Sequence, residues 1–263
     1  MKTVIVTGAA GGMGRATAEK FLSEGYQVFG LDIREPEGLS GIRYIRTDLT
    51  DMESVTNAYN TVRAETDHAD ALIHMAGIYD LNSLVEMSEE DFVRIFNINL
   101  FSIFRVNRQF LPLIMNGGRV IITSSELAPL DPLPFTGIYG ITKTAVEKYA
   151  FSLRMELQLL DIPVSIIRPG AVDTGLLDDS TRCLDEFCSN TELYSCNAGR
   201  FKSITDSVES RNIPPDKIAE IAYKAANAKN PRFVYKINRN PMLLMLNALP
   251  DRMQTRILKK VLS

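Results

Sequence analysis

No uninterrupted run of about 18 apolar residues occurs in this 263-residue chain, so no membrane-spanning helix is expected. The N-terminus lacks the apolar stretch and small-residue cleavage site of a secretory signal, and Met1-Lys2-Thr3 runs straight into strand-like Val4-Ile5-Val6-Thr7. Cysteine is scarce: Cys183, Cys188 and Cys196 all fall in one short segment. An odd count without a signal predicts reduced thiols and a cytoplasmic protein. Histidine is scarcer still. His68 and His74 lie far from the cysteines in sequence, so no metal site is expected. A formal charge of −3 argues against a nucleic-acid partner held by counterion release. Solenoid repeats and low-complexity segments are missing too. What remains, 45% hydrophobic and 23% charged, is the composition of a soluble globular protein able to bury a sizeable core.

Taken in order, short apolar runs alternate with amphipathic ones. Thr3 to Thr7 has strand length and ends in Gly8-Ala9-Ala10-Gly11-Gly12-Met13-Gly14. Arg15 to Ser23 then reads as a helix closed by Gly25. A strand, a glycine loop and a helix form the first turn of a dinucleotide-binding unit. Gly8 permits the turn, Gly12 lets backbone approach a pyrophosphate, and Gly14 lets the helix pack close. The next strand, Gln27 to Leu31, ends at Asp32, about twenty positions on, where a carboxylate can accept from a ribose 2′-hydroxyl. Its charge would repel a 2′-phosphate, so NAD is favoured over NADP, although Arg15 and Arg34 are near enough to soften the choice.

Further strands are expected at Arg43 to Thr47, Ala71 to Met75, Gly118 to Thr123, Pro163 to Ile167 and Phe233 to Lys236. Helices are expected from about Asp51 to Glu65, from Met87 to roughly Met115 in one piece, after Tyr139, and from Pro214-Pro215 to about Ala228. This alternation predicts an α/β fold: one doubly wound parallel sheet of about seven strands, Rossmann-like, with helices on both faces. Asp48 sits at a strand end, as a ligand contact or a helix cap. Ala76-Gly77 leaves space beside a cofactor. Asn99 interrupts an apolar helical face and needs polar partners.

Tyr139 and Lys143 lie four residues apart, on one helical face. A nearby ammonium favours the phenolate, which would draw a pKa of about 10 towards working pH. Tyr139 is then a general acid or base. Such a pair also arises by chance among nine tyrosines, so its weight rests on the rest of the chain. Ser124-Ser125 closes the preceding strand, where a hydroxyl can donate to a developing alkoxide.

These parts together resemble the short-chain dehydrogenase/reductase family of the classical type: Thr7-Gly8-x-x-x-Gly12-x-Gly14, Asp32, Asp48-Leu49, Asn99, Ser124-Ser125, Tyr139-x-x-x-Lys143 and Pro169-Gly170-x-Val172-x-Thr174. The resemblance covers Thr3 to about Lys236. It implies an NAD-dependent oxidoreductase interconverting a secondary alcohol and a ketone. Tyr139 would be the acid/base and Ser125 would bind the substrate oxygen. Lys143 would lower the tyrosine pKa and bind the nicotinamide ribose, while Asn99 would hold a water leading from Lys143 to solvent. The implied cofactor site adds Gly8, Gly12, Met13, Gly14, Asp32, Asp48, Leu49, Ala76, Gly77, Pro169, Gly170, Val172 and Thr174. Two departures stand out. His74-Met75 replaces the family's frequent Asn-Asn before Ala-Gly, with His74 read as a structural donor. Ser125 also lies one residue further from the tyrosine than usual, which leaves Ser124 as a second candidate and puts Glu126 at the usual spacing.

The segment at about 175–211 is expected to be an irregular lid. Its Leu176, Leu177, Leu184, Phe187, Leu193, Tyr194 and Phe201 suit either an apolar substrate, steroid-like or lipid-like, or helix packing. The carboxylates Asp178, Asp179, Asp185 and Glu186 disfavour an anionic one. Residues 241–263 mix apolar residues with Arg252, Arg256, Lys259 and Lys260 at helical spacing. That tail suits an interfacial membrane helix, a dimer contact or a cover on its own body. The resemblance also implies a homodimer or homotetramer. Two other functions remain open: an epimerase or dehydratase, and a cofactor-sensing protein without turnover.

Overall fold

Strand-length runs rich in Val and Ile form the sheet, and its residues sort by parity. The computed structural model describes residues 1–36, 40–115, 117–209 and 211–263, with backbone only for 175–182 and 207–209. Seven strands are described: β1 (Thr3–Thr7), β2 (Gln27–Asp32), β3 (Ile42–Arg46), β4 (Ala71–His74), β5 (Arg119–Thr123), β6 (Val164–Pro169) and β7 (Val234–Ile237). All pair in parallel, in the order β3-β2-β1-β4-β5-β6-β7. Every residue of β1 is buried, as a central parallel strand covered on both faces requires.

Ile5 points to one face, among α2 (Met52–Glu65), α4 (Ser102–Ile114) and α5 (Gly137–Leu157). Val4 and Val6 point to the other, among Phe21 of α1 (Gly12–Ser23) and Ala222 of α8 (Asp216–Asn227). Two layers of helices thus close the sheet. The strand order reverses between β1 and β4, which opens a crevice at their carboxyl ends, the place where open α/β sheets bind ligands.

The single helix expected from Met87 to Met115 is instead α3 (Glu89–Phe96), a π-helical turn at Asn97–Phe101, and α4. Buried Asn99 sits in the middle of that turn. Its amide bonds the loop after β4, and the widened turn accommodates that inward polar residue. Ser88 caps α3: its Oγ accepts from the Asp91 amide and donates to Asp91 Oδ2.

The segment expected to be irregular is also helical: α6 (Gly175–Asn190) and α7 (Ser195–Glu209). Leu184 and Phe187 of α6 and Ala198 and Phe201 of α7, each pair three residues apart, bury together with Leu81. Packing therefore claims most of these residues. Leu193 is exposed, and the side chains of Leu176, Leu177, Asp178 and Asp179 lie outside the described residues.

The tail forms α9 (Pro241–Asn247) and α10 (Asp251–Leu262) and folds back on its own chain. Leu262 joins the lid's apolar cluster, and its carbonyl accepts from Asn197 Nδ2 at 2.7 Å. Buried Gln254 donates to Asp131 Oδ2 at 3.1 Å. No described helix is long and apolar enough to cross a membrane.

Candidate active site

The glycine turn is fixed by backbone pressed on backbone. Gly8 has φ 69°, and a Cβ there would lie 2.7 Å from the Ala76 amide nitrogen. A Cβ on Gly14 would collide with the Gly8 carbonyl, so α1 can lie this close to the turn only without a side chain. Gly11 precedes α1 in extended conformation. No side chain caps that end and no acid occupies its first turn, so its amides suit an anion. Asp32, 8% exposed, accepts from the Ala10 amide through Oδ2 and from the Arg34 amide through Oδ1, both at 3.0 Å. Asp48 is not the cap of α2. Asp51 is, and the Asp48 Oδ1 accepts from the amide and hydroxyl of Thr50. Leu49 packs against the core beside it.

Helix α5 carries Tyr139 and Lys143 into the crevice, both buried. The Lys143 ammonium lies 5.6 Å from the tyrosine ring centroid and donates to the Thr123 carbonyl at 3.3 Å. Ser125, after β5, lines the same cavity as Tyr139 and lowers its pKa, while its Oγ accepts from the Leu127 amide at 3.2 Å. Ser124 points elsewhere: its Oγ donates to Glu147 Oε1 at 2.8 Å, which also accepts from Arg168 Nε at 2.6 Å. The geometry therefore separates the two serines. Asn99 Oδ1 accepts from the Ile78 amide at 2.8 Å, and its Nδ2 donates to the Ile78 carbonyl and to Thr142 Oγ1. Gly77 lies between Asn99 and Lys143, since a Cβ on it would stand 3.2 Å from Asn99 Oδ1 and 3.4 Å from Lys143 Nζ.

The expected depression of the tyrosine pKa is not met in the protein alone. Burial pushes Tyr139 up to about 12, opposed by the neighbouring Ser125 hydroxyl and reinforced by the charge of Glu126. Burial likewise pulls Lys143 down to about 8. Loss of water outweighs the lysine's field at this separation. The phenol is thus held protonated at neutral pH. His74, also buried, is pulled down to about 4 and is neutral; its Nε2 meets Asn107 Oδ1 at 2.9 Å, bracing β4 against α4. Among the described residues no group of three metal-ligating side chains converges.

A cavity of about 410 Å³ opens over these groups. Met13, Gly77, Ser125, Tyr139 and Lys143 line it on one side, and Pro169, Gly170, Val172 and Thr174 continue the wall. Asn99, Gly8, Gly12 and Gly14 are not among its lining residues. Leu243 and Leu246 of α9, with Ile257, Leu258 and Val261 of α10, roof it. From the lid only α7 contributes described lining residues, Phe201, Ile204 and Thr205. Two features escaped sequence reasoning. One is the Glu147–Arg168 pair that draws Ser124 aside. The other is Glu126, which lines the cavity; an acid at the position usually held by the serine was its only signal.

A doubly wound sheet, a glycine-rich turn at its crevice and a helix that carries Tyr139 and Lys143 into that crevice define a dinucleotide-fold oxidoreductase. The chain belongs to the short-chain dehydrogenase family, whose model, described as short chain dehydrogenase, matches residues 2–183. It is 29% identical over 262 residues to a 3-ketodihydrosphingosine reductase of Bacteroides thetaiotaomicron, covering 97% of this chain and 96% of that one. It is 28% identical to an NADPH-dependent 3-dehydrocapnine reductase of Ornithobacterium rhinotracheale, covering 99% and 97%. Its fold is shared with a short-chain dehydrogenase from Streptomyces avermitilis, with a TM-score of 0.77 at 23% identity over 99% of this chain and 96% of that one. The family binds nicotinamide cofactors. The uncapped amides of α1 and the bare surfaces of Gly8 and Gly14 fit a dinucleotide.

Proposed function

We propose that this enzyme reduces an apolar, lipid-like ketone to a secondary alcohol with NADH, using Tyr139 as the proton donor. The observation that carries this reading is a buried Tyr139, beside Ser125 in a cavity whose roof is aliphatic. Two of the relatives that match nearly the whole chain are named as a 3-ketodihydrosphingosine reductase and a 3-dehydrocapnine reductase.

A bound nicotinamide would supply the hydride to the carbonyl carbon. The protein's part is the oxygen. Ser125 Oγ donates to it, and Tyr139 gives it a proton, for which a phenol held at about 12 is already charged with its proton at neutral pH. Lys143 holds the nicotinamide ribose, and Asn99 holds a water through which Lys143 is re-protonated. Met13, Gly77, Pro169, Gly170, Val172 and Thr174 seat the nicotinamide end. Gly8, Gly12, Gly14 and Ala76 seat the phosphates, and Asp32, Asp48 and Leu49 the adenosine end.

Asp32 supports NAD. One observation favours NADP: Arg34, 75% exposed, reaches towards Gly11, where it could meet a 2′-phosphate. Comparing kcat/KM for NADH and NADPH on one ketone decides between them.

The test is a panel of long-chain ketones, hydroxysteroids and sugars with each cofactor, on wild type and Tyr139→Phe. We expect ketone-dependent NADH consumption, and a loss of about 1,000-fold or more in kcat for the variant with cofactor affinity near wild type. Redox-neutral conversion would instead indicate an epimerase or dehydratase, and cofactor binding without turnover a sensor. An active Tyr139→Phe would remove the proton-transfer role.

The outer faces of α4 and α5 expose Phe104, Phe151 and Met155, which supports a homodimer or homotetramer through these helices, measurable by light scattering. Met242 and Met245, with the basic residues of α10, support a peripheral membrane contact that liposome flotation would detect.

A further inference from the structure

The proton-transfer chemistry leaves one ionisable group in the cavity without a task. Glu126 follows Ser125 directly and lines the same cavity, yet it is only 7% exposed. Burying a carboxylate is costly unless a partner offsets the lost hydration. Among the described residues only one of its oxygens has a hydrogen-bond partner: Oε2 accepts from the Asn240 amide at 2.7 Å, at the start of α9. Oε1 makes no hydrogen bond, and Glu126 forms no ion pair with a described residue. Arg239 acts on it only at longer range. The chain nevertheless makes room for it. A Cβ on Gly170 would first meet the Asn238 carbonyl oxygen, 1.9 Å away, and would stand 2.9 Å from Oε1, so the carboxylate lies against a strand end that backbone keeps free of a side chain. The backbone on either side is fixed as well, the Glu126 amide donating to the Pro169 carbonyl at 2.8 Å.

Burial raises the pKa of this carboxyl, and its charge in turn raises that of Tyr139. Both effects describe an acid that is short of a cation and close to the reacting oxygen. No cation among the described residues pairs with it, and Glu126 lines the cavity.

We infer that Glu126 is the seat for a protonated amine on the substrate, so that the ketone accepted is an amino ketone with an apolar tail. The inference rests on the ketone-reductase reading above. Ser125 and Glu126 are chain neighbours on one wall, so the carbonyl and the ammonium they bind are neighbours in the substrate. An ammonium donating to Oε1 completes the carboxylate's hydrogen bonding. The aliphatic remainder lies under Leu246, Ile257 and Val261.

The experiment compares three substrates of one chain length: a long-chain α-aminoketone, its N-acetyl derivative and the amine-free ketone, with NADH and NADPH each supplied. For wild type we expect kcat/KM for the aminoketone to exceed that for the amine-free ketone by roughly 10- to 100-fold, the weight of a charge-assisted hydrogen bond. The N-acetyl derivative, which carries no charge, loses that advantage. In Glu126→Gln the ratio of aminoketone to amine-free ketone falls towards one. Turnover of both ketones by wild type without preference overturns the inference and leaves the reductase reading standing. A wild-type preference that survives unchanged in Glu126→Gln overturns it as well. If wild type turns over none of the three, the reductase reading fails and this inference with it. The wild-type comparison needs no variant, so a Glu126→Gln protein that fails to fold does not remove the test.

Discussion

The glycine turn and the aliphatic roof face one cavity and are held in opposite ways. On the turn, backbone meets backbone: Gly8 against Ala76, Gly14 against the Gly8 carbonyl. At those two positions the neighbour cannot rotate out of the way. On the roof, α9 and α10 meet the cavity with leucine and isoleucine, while Met242 and Met245 on α9 are 58% and 72% exposed. Flexible side chains re-pack at modest cost, whereas a displaced main chain does not. The turn is thus built to bind one invariant shape, and the roof to accept apolar bulk.

This contrast can be broken by substitution. Gly14→Ala should have the largest effect, because its methyl meets a carbonyl that is part of the turn. We expect roughly 3 kcal/mol of lost stability and a cofactor affinity lowered about 100-fold or more, measured by thermal melts and cofactor titration. A variant with wild-type affinity would show that the turn yields as readily as the roof.

The rigid side also carries a pH dependence that the roof lacks. His74 has its pKa lowered by burial to about 4, so between pH 6.5 and 4 the unfolded chain binds more protons than the folded one. Stability therefore rises with pH across that window and is lost on acidification, by up to about 3 kcal/mol. His74→Asn keeps a polar side chain at the end of β4 and removes the titration. Its melting temperature should fall less between pH 6.5 and 4.5 than that of wild type, and parallel curves would remove His74 as the cause.

The smallest effect belongs to the roof. Leu246→Ala and Ile257→Ala should each raise KM for the longest ketones by about 10-fold or less, with stability changed by about 1 kcal/mol. The effect should shrink as the ketone shortens. A loss of kcat equal for all chain lengths would mean that the roof holds the reacting groups and not the chain.

The parts that were legible in the sequence are those set by local spacing. β1, the glycine turn and α1 are contiguous, and Tyr139 and Lys143 meet because they are one helical turn apart. Asp32 closes β2 where the strand itself places it. The serine choice needed Glu147 and Arg168, which reach Ser124 from α5 and β6. The π-helical turn was hidden because one widened turn leaves the apolar pattern of Met87 to Met115 almost intact. Only the misplaced polarity of Asn99 hinted at it. The lid helices did show apolar spacings of three and four, but Ser, Thr, Asp and Asn among them favoured a loop reading. Glu126 was least legible of all, because Asn240, which fixes it, is 114 residues away.

One consequence of the Asp32 contacts concerns how this enzyme could change its diet of reductant over generations. The side chain that would discriminate between the two dinucleotides is also the strut beneath Ala10. Swapping it for a small apolar residue removes a gatekeeper and a beam at once, so the first mutant step towards the phosphorylated coenzyme weakens the grip on both. Lineages would cross that valley most easily through serine or asparagine, which shed the charge yet can still accept the Ala10 N–H.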